Sequence, residues 1–183
     1  IALLKDKNAS NSISKDVEEM KEMIDSYLAF TKGEGEEKIT NENIFLFFKN
    51  IVNNTNNLKK IRISLKISKN ITFFVKNLAM KRALNNILSN SIFFAKKKIF
   101  ITVNKVKGKG TLIKFEDDGP GIPKNKRDDV LKAFYRIDES RLSQSGNTGL
   151  GLTITKNIIS NHGGSLELGD SSIGGLEVKI YLP

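Results

Sequence analysis

The apolar positions of this chain change period several times, and each change marks an element. From Ile13 they recur at Val17, Met20, Ile24 and Tyr27, alternating steps of four and three, the a/d seam of a coiled coil or helix bundle. Asp16, Glu18, Glu19, Lys21 and Glu22 take the solvated sides, Ser12 or Ser14 can cap the start, and the early carboxylates suit the positive end of the helix dipole. Such a seam needs a partner, either the helix's own domain or further helices of an intermolecular bundle. The charged, glycine-containing stretch TKGEGEEK (31–38) reads as a linker and favours the bundle. We therefore divide the chain into a helical segment, 1–34, and a second unit, 35–183.

In the second unit a helix is predicted over 43–57, burying Ile44, Phe47, Phe48 and Ile51. Strand-like runs follow at 61–67 and 71–75, then a central helix over 76–95 with Leu84, Ile87, Leu88 and Ser91 toward the core. Runs 99–106 and 111–116 flank KGKG, a hairpin signal. From Asp117 to Thr148 the pattern lapses into a glycine-rich, polar stretch with only a few apolar anchors, such as Ile122, Val130, Leu131, Phe134 and Tyr135. So long a loop inside a compact domain is usually functional, here a lid. A helix over 148–161 and strands over 163–169 and 174–183 complete an α+β fold, a two-layer α/β sandwich with one mixed sheet under three helices.

Composition narrows the partners. With 39% hydrophobic and 27% charged residues the chain has the make-up of a globular domain, and no run of 18 apolar residues suggests a membrane span. The absence of cysteine and the single histidine argue against disulfides and a zinc centre, and suit a reducing, cytoplasmic setting. The net charge of +10 raises the question of nucleic acid. Its lysines are dispersed, KKK (96–98) being the only triplet, without an aromatic and arginine platform, so nucleic acid is not expected. The opening IALLK, without an initiator Met, reads as a fragment, which leaves room for the membrane-anchored parent expected here.

Four short runs carry the chemistry: NNILSN (85–90), DDGPG (117–121), FYR (134–136) and GNTGLGL (146–152). Asp117 ends a buried strand, where a carboxylate needs hydrogen-bond donors. An adenine amino group is such a donor, whereas guanine presents a carbonyl oxygen there, so the site would choose ATP over GTP. Gly119 and Gly121 let backbone approach a ligand, and Ile122 joins them in the candidate binding set. Asn86 and Asn90 share one face of the central helix. Their carbonyl oxygens suit magnesium, a role favoured for Asn90, while Asn86 could equally tie helix to backbone. GNTGLGL opens a helix, so the backbone N–H groups at Gly149, Leu150 and Gly151 point to a phosphate, with Thr148 as cap or phosphate contact. Phe134 would seat the lid, and Arg136 could reach a terminal phosphate and offset charge in phosphoryl transfer. His162, before Gly163 and Gly164, reads as a helix C-cap, not a catalytic group.

NNILSN, FEDDGPGIP, FYRIDESR and GNTGLGLTITKNIISNHGG resemble the N, G1, F and G2 boxes of sensor histidine kinases, within the Bergerat-fold ATPases. FEDDGPGIP and the closing NHGGSLELGDSSIGGLEVKIYLP look especially like EnvZ-type kinases. The resemblance spans about residues 38–183, and 1–32 look like part of a dimerisation and histidine-phosphotransfer hairpin. It implies that Asn90 holds Mg2+, Asp117 the adenine amino group, Phe94 the adenine or ribose side and Arg136 the γ-phosphate. The chain departs from the family pattern at Phe93, where a basic residue is usual, at Phe94 for the commoner Tyr, and at Asn147 for a second glycine. The implied activity is transfer of the γ-phosphate of Mg-ATP to a histidine upstream of this fragment, then to a response-regulator aspartate, in a parent that dimerises through the helical segment. By itself the fragment is expected to bind ATP without labelling itself. The alternatives are an ATPase clamp of the gyrase or heat-shock chaperone kind and a catalytically weakened nucleotide-binding module.

Overall fold

A computed structural model describes residues 37–55, 60–68, 70–106, 108, 110–137 and 149–183, with isolated helical positions at 13, 14, 17, 20, 21 and 24. Ile13, Val17, Met20 and Ile24 are helical and exposed, 41–60%. Tyr27, residues 31–36 of the expected linker, Asn147 and Thr148 lie outside the described residues.

The described body begins with strand β1 (Ile39–Asn43) and helix α1 (Ile44–Asn54), followed by β2 (Arg62–Ile67), β3 (Thr72–Lys76) and α2 (Asn77–Phe94). Next come β4 (Lys98–Val106) and β5 (Gly110–Asp117), two 3-10 turns in the lid, α3 (Gly151–Asn161), β6 (Ser165–Asp170) and β7 (Leu176–Leu182). Among the described residues, one five-stranded sheet has the order β2-β4-β5-β7-β6, with β2 and β4 parallel and the other pairs antiparallel. The sheet is mixed and three helices accompany it, as expected. The expectation of a single sheet needs correcting, because β3 pairs with β1 in a separate two-stranded ribbon. In β1, ITNEN has no apolar alternation and is mostly exposed, so no pattern marks it as a strand.

The core lies between the large sheet and its helices. Alternation along β4, β5 and β7 turns Ile99, Ile101, Val103, Ile113, Phe115, Val178 and Ile180 toward Phe48 of α1 and Leu84, Ile87 and Leu88 of α2. Burying each such side chain contributes ~1.5–3 kcal/mol. A smaller cluster joins α2 to α3, where Ala79 and Ala83, one turn apart, admit Leu150, Ile154 and Ile158. This pairing sets the start of α3 beside the middle of α2.

Caps fix the helix ends. Asn43 accepts from the Leu46 N–H at 3.0 Å at the start of α1. Lys76, at the N-cap of α2, supplies no side-chain cap; Glu37 does so from outside, accepting from Leu78 N–H at 2.6 Å and Ala79 N–H at 3.1 Å. His162 is the C-cap of α3, and Gly163 beyond it adopts φ 71°. Its Nδ1 lies 2.7 Å from the Ile158 carbonyl and its Nε2 accepts from Lys76 N–H at 2.9 Å. The ring is therefore the neutral tautomer with Nδ1–H donating, and it ties the end of α3 to the start of α2.

Candidate functional site

β5 carries its apolar alternation into a charged residue. After Ile113 and Phe115, the same parity delivers Asp117, 3% exposed, to the helix side of the sheet. Its Oδ1 accepts from Gly119 N–H at 2.9 Å and Leu176 N–H at 3.1 Å. Oδ2 accepts nothing among the described residues, and Asp117 lines a cleft of about 380 Å³. Burial pushes the Asp117 carboxyl above its usual range, against the two N–H bonds, and neighbouring Asp118 adds to the rise. The ionised group therefore lacks solvation that a donor in the cleft would supply.

Asp118 has a different task. Its Oδ1 accepts from the N–H groups of Lys96, Lys97 and Lys98 at 2.9, 3.0 and 3.1 Å, fixing the turn between α2 and β4. Burial pushes its carboxyl up, but these N–H groups, Lys97 first, outweigh that and hold it below the usual range.

The opposite wall is the last turns of α2, where Asn90, Phe93 and Phe94 line the cleft and Phe94 is 42% exposed. Asn86 does not line it. Its Nδ2 donates to the Gly151 carbonyl at 3.2 Å, tying α2 to the start of α3. A Cβ on Gly151 would sit 3.7 Å from Asn86 Cβ and 3.9 Å from Asn90 Nδ2, so α3 begins directly against these two amides. Among the described residues no side chain caps α3, and its first turn holds no acidic residue. Gly151 and Leu152 of this first turn line the cleft, where the leading N–H groups of a helix have no partner within the helix.

The lid root closes the remaining side. Gly121 and Ile122 line the cleft, and Arg127 Nε donates to the Ile122 carbonyl at 3.1 Å while its guanidinium pairs with Asp170. Val130, 8% exposed, seats the lid, and Thr153 Oγ1 of α3 donates to the Leu131 carbonyl at 3.1 Å. Phe134, expected to do the seating, is 62% exposed and does not line the cleft. It adopts φ 65°, and its N–H donates to the Gly149 carbonyl at 3.2 Å, so its backbone is held against that of Gly149. Gly149, at φ 70°, fits because a Cβ there would lie 3.1 Å from that backbone.

Of the residues singled out in the sequence, the cleft gathers Asn90, Phe94, Asp117, Gly121, Ile122, Arg136, Gly149 and Gly151. Asn86, Gly119, Phe134 and Leu150 stand outside its lining: Gly119 bonds Asp117, and Leu150 is buried between α2 and α3. Thr148 lies outside the described residues. Tyr135, Leu176 and Val178 line the cleft without having been singled out as ligand contacts. Leu176 and Val178 could have been found from strand parity, since they follow the turn that packs on Asp117.

Comparison with known proteins places this geometry. The chain is 40% identical over 105 residues to the sensor histidine kinase CpxA of Escherichia coli (strain K12), a match covering 57% of this chain and 23% of CpxA. It thus spans about a quarter of the length of that relative. Among solved structures, the mycobacterial sensor histidine kinase MprB superposes with a TM-score of 0.69 at 22% identity, covering 79% of this chain and 97% of that one. Full-length ShkA in complex with AMPPNP gives 0.78 at 18% identity, covering 98% of this chain and 39% of that one. These likenesses share the fold. The family described as "Histidine kinase-, DNA gyrase B-, and HSP90-like ATPase" matches residues 75–183, a span that contains all the residues lining the cleft, and the chain belongs to that family.

Proposed function

We propose that this chain is the ATP-binding catalytic region of a sensor histidine kinase, holding Mg-ATP in the cleft and presenting its γ-phosphate to a histidine. The observation that carries the reading is Asp117: a buried carboxylate with one oxygen engaged by backbone and the other left for a donor from the cleft. Adenine offers that donor. Phe94 flanks the base, and the start of α3, which no described side chain caps, receives the phosphates. Arg136 compensates charge at the terminal phosphate.

Among the described residues no group of three or more His, Cys, Asp or Glu could hold a metal ion. The donor set instead suits a magnesium ion carried by the nucleotide, with the Asn90 carbonyl oxygen as the protein's ligand beside phosphate oxygens and water. When bound, the ion supplies charge neutralisation. The chain's own part is to orient the triphosphate between α2 and α3, exclude water with the lid, and leave the γ-phosphorus open to in-line attack.

His162 has both ring nitrogens in structural bonds, so the acceptor is a histidine elsewhere in the parent. The relatives' identity as sensor histidine kinases favours transfer to histidine over a nucleotide-driven clamp. In this reading the seam of Ile13, Val17, Met20 and Ile24 belongs to the parent's dimerisation bundle, the phosphohistidine passes its group to a response-regulator aspartate, and this region works on the cytoplasmic side of a membrane-anchored parent. No helix among the described residues is long and apolar enough to cross a membrane. The test incubates γ-labelled ATP with the parent containing this region. Acid-labile, base-stable label on the protein is expected. Release of labelled phosphate to solution without a labelled protein intermediate would favour the clamp.

A further inference from the structure

We propose that Glu116 is a positioning residue: acting through the β6–β7 turn, it fixes the Asp117 carboxylate and so sharpens the choice of adenine over guanine. The inference rests on the nucleotide reading above. Glu116 and Asp117 are adjacent on β5 and therefore project from opposite faces of the sheet. Glu116 nevertheless is only 7% exposed, and it stands directly opposite Glu177 of β7, itself 6% exposed. Like charges facing each other across strands are destabilising.

The neighbouring lysines serve mainly the other member of the pair. Lys114 Nζ is 2.5 Å from Glu177 Oε2 but 3.6 Å from Glu116 Oε2, and Lys179 Nζ is 2.7 Å from Glu177 Oε1. A local rule broken this way points to a role elsewhere. Glu116 Oε1 accepts from Ser172 N–H at 3.1 Å and from Ser172 Oγ–H at 2.8 Å. Ser172 sits in the turn between β6 and β7, which closes on itself through Ser171 N–H to the Gly175 carbonyl at 2.9 Å.

The far end of that turn rests on Asp117. Leu176 N–H donates to its Oδ1, and a Cβ on Gly175 would lie 2.3 Å from the same oxygen and 2.5 Å from Gly119 N. A shift of the turn by a few tenths of an ångström therefore moves or releases the carboxylate. Gly175 also faces the lid root, since a Cβ on Gly121 would approach its carbonyl to 3.2 Å. Glu116 holds the first half of the turn, and the second half holds Asp117.

The test titrates Mg-ATP and Mg-GTP calorimetrically into the whole chain for wild type, Glu116→Ala, Glu116→Gln, Ser172→Ala and Asp117→Asn. Glu116→Ala is expected to weaken ATP binding about tenfold, with GTP unchanged, because an aligned bond to an ionised acceptor is partly lost. Ser172→Ala should move the ratio in the same direction but less. Glu116→Gln, which keeps an acceptor oxygen for Ser172, should restore the wild-type ratio. A merely structural role would weaken both nucleotides alike and leave the ratio untouched, and that result overturns the inference. Loss of preference in Asp117→Asn with full preference in both Glu116→Ala and Ser172→Ala overturns it alone. Absence of any preference in wild type overturns the nucleotide reading with it. Should Glu116→Ala fail to fold, Ser172→Ala and Glu116→Gln decide.

Discussion

Replacing Asp117 by Asn should invert the polarity of the cleft at one atom while sparing the fold. Oδ1 accepts from Gly119 and Leu176 N–H, so the new carboxamide must turn its oxygen to that side. Its NH2 then occupies the Oδ2 position facing the cleft, a donor where an acceptor stood. An adenine amino group loses a hydrogen bond to a charged partner, ~1.5–3 kcal/mol, which corresponds to about 10- to 150-fold in affinity. A guanine carbonyl oxygen meets a donor and loses nothing. Because burial raises the Asp117 carboxyl, its ionisation costs stability as pH rises through that titration, a cost the amide lacks. The variant should thus melt within ~1 kcal/mol of wild type or slightly above it. Calorimetric titration with both nucleotides, paired with urea unfolding, separates the effects. Unchanged ATP affinity in a folded variant would refute the assignment.

Other consequences concern the scaffold. Glu37→Ala removes the cap of α2 and should cost ~0.5–2 kcal/mol in urea unfolding, with nucleotide affinity unchanged; an unshifted midpoint would count against the cap. His162→Ala removes the ring that ties the Lys76 N–H to the Ile158 carbonyl, while the backbone N–H of residue 162 still donates to that carbonyl at 3.2 Å. It should destabilise by ~0.5–1.5 kcal/mol, measured the same way. Asp118 is held below the usual carboxylate range, so its contribution is present above the unfolded pKa and lost as pH falls through the folded value. Asp118→Asn should flatten that acid limb of the stability curve, and an identical limb would contradict the three-bond account. Nucleotide binding should weaken over a higher pH interval, as Asp117 takes up a proton.

Much of this was legible in the residues. The face of α2 carrying Leu84, Ile87, Leu88 and Ser91 is buried as its periodicity predicts, and KGKG joins β4 to β5, which pair from Ile99–Asp117 to Val106–Gly110. Local signals sufficed because helix faces and hairpins are set by neighbours in sequence. What stayed hidden depends on distant partners. Glu37, read as linker, caps a helix 41 residues onward, and Glu116 meets Ser172 across 56 residues. Neither pairing has a periodic signature. β1 was invisible because ITNEN lies in a ribbon of which only β3 turns apolar residues, Phe73 and Val75, inward. Asn86 offered two readings, and only the approach of α3 gives its amide the Gly151 carbonyl as partner. Phe134 misled because an aromatic residue in a lid suggests an anchor, whereas its left-handed backbone carries the structural contact and leaves the ring exposed.

The proposed reading of adenine by Asp117, in the cleft between α2, β5 and α3, rests on nucleotide choice. Titrating the wild-type chain with Mg-ATP and Mg-GTP under one condition tests it most directly. ATP should bind saturably with at least about tenfold preference over GTP, the discrimination that follows when a buried polar group is paired by one ligand and opposed by the other. Equal affinity for the two, or no binding of either by the folded chain, would contradict it.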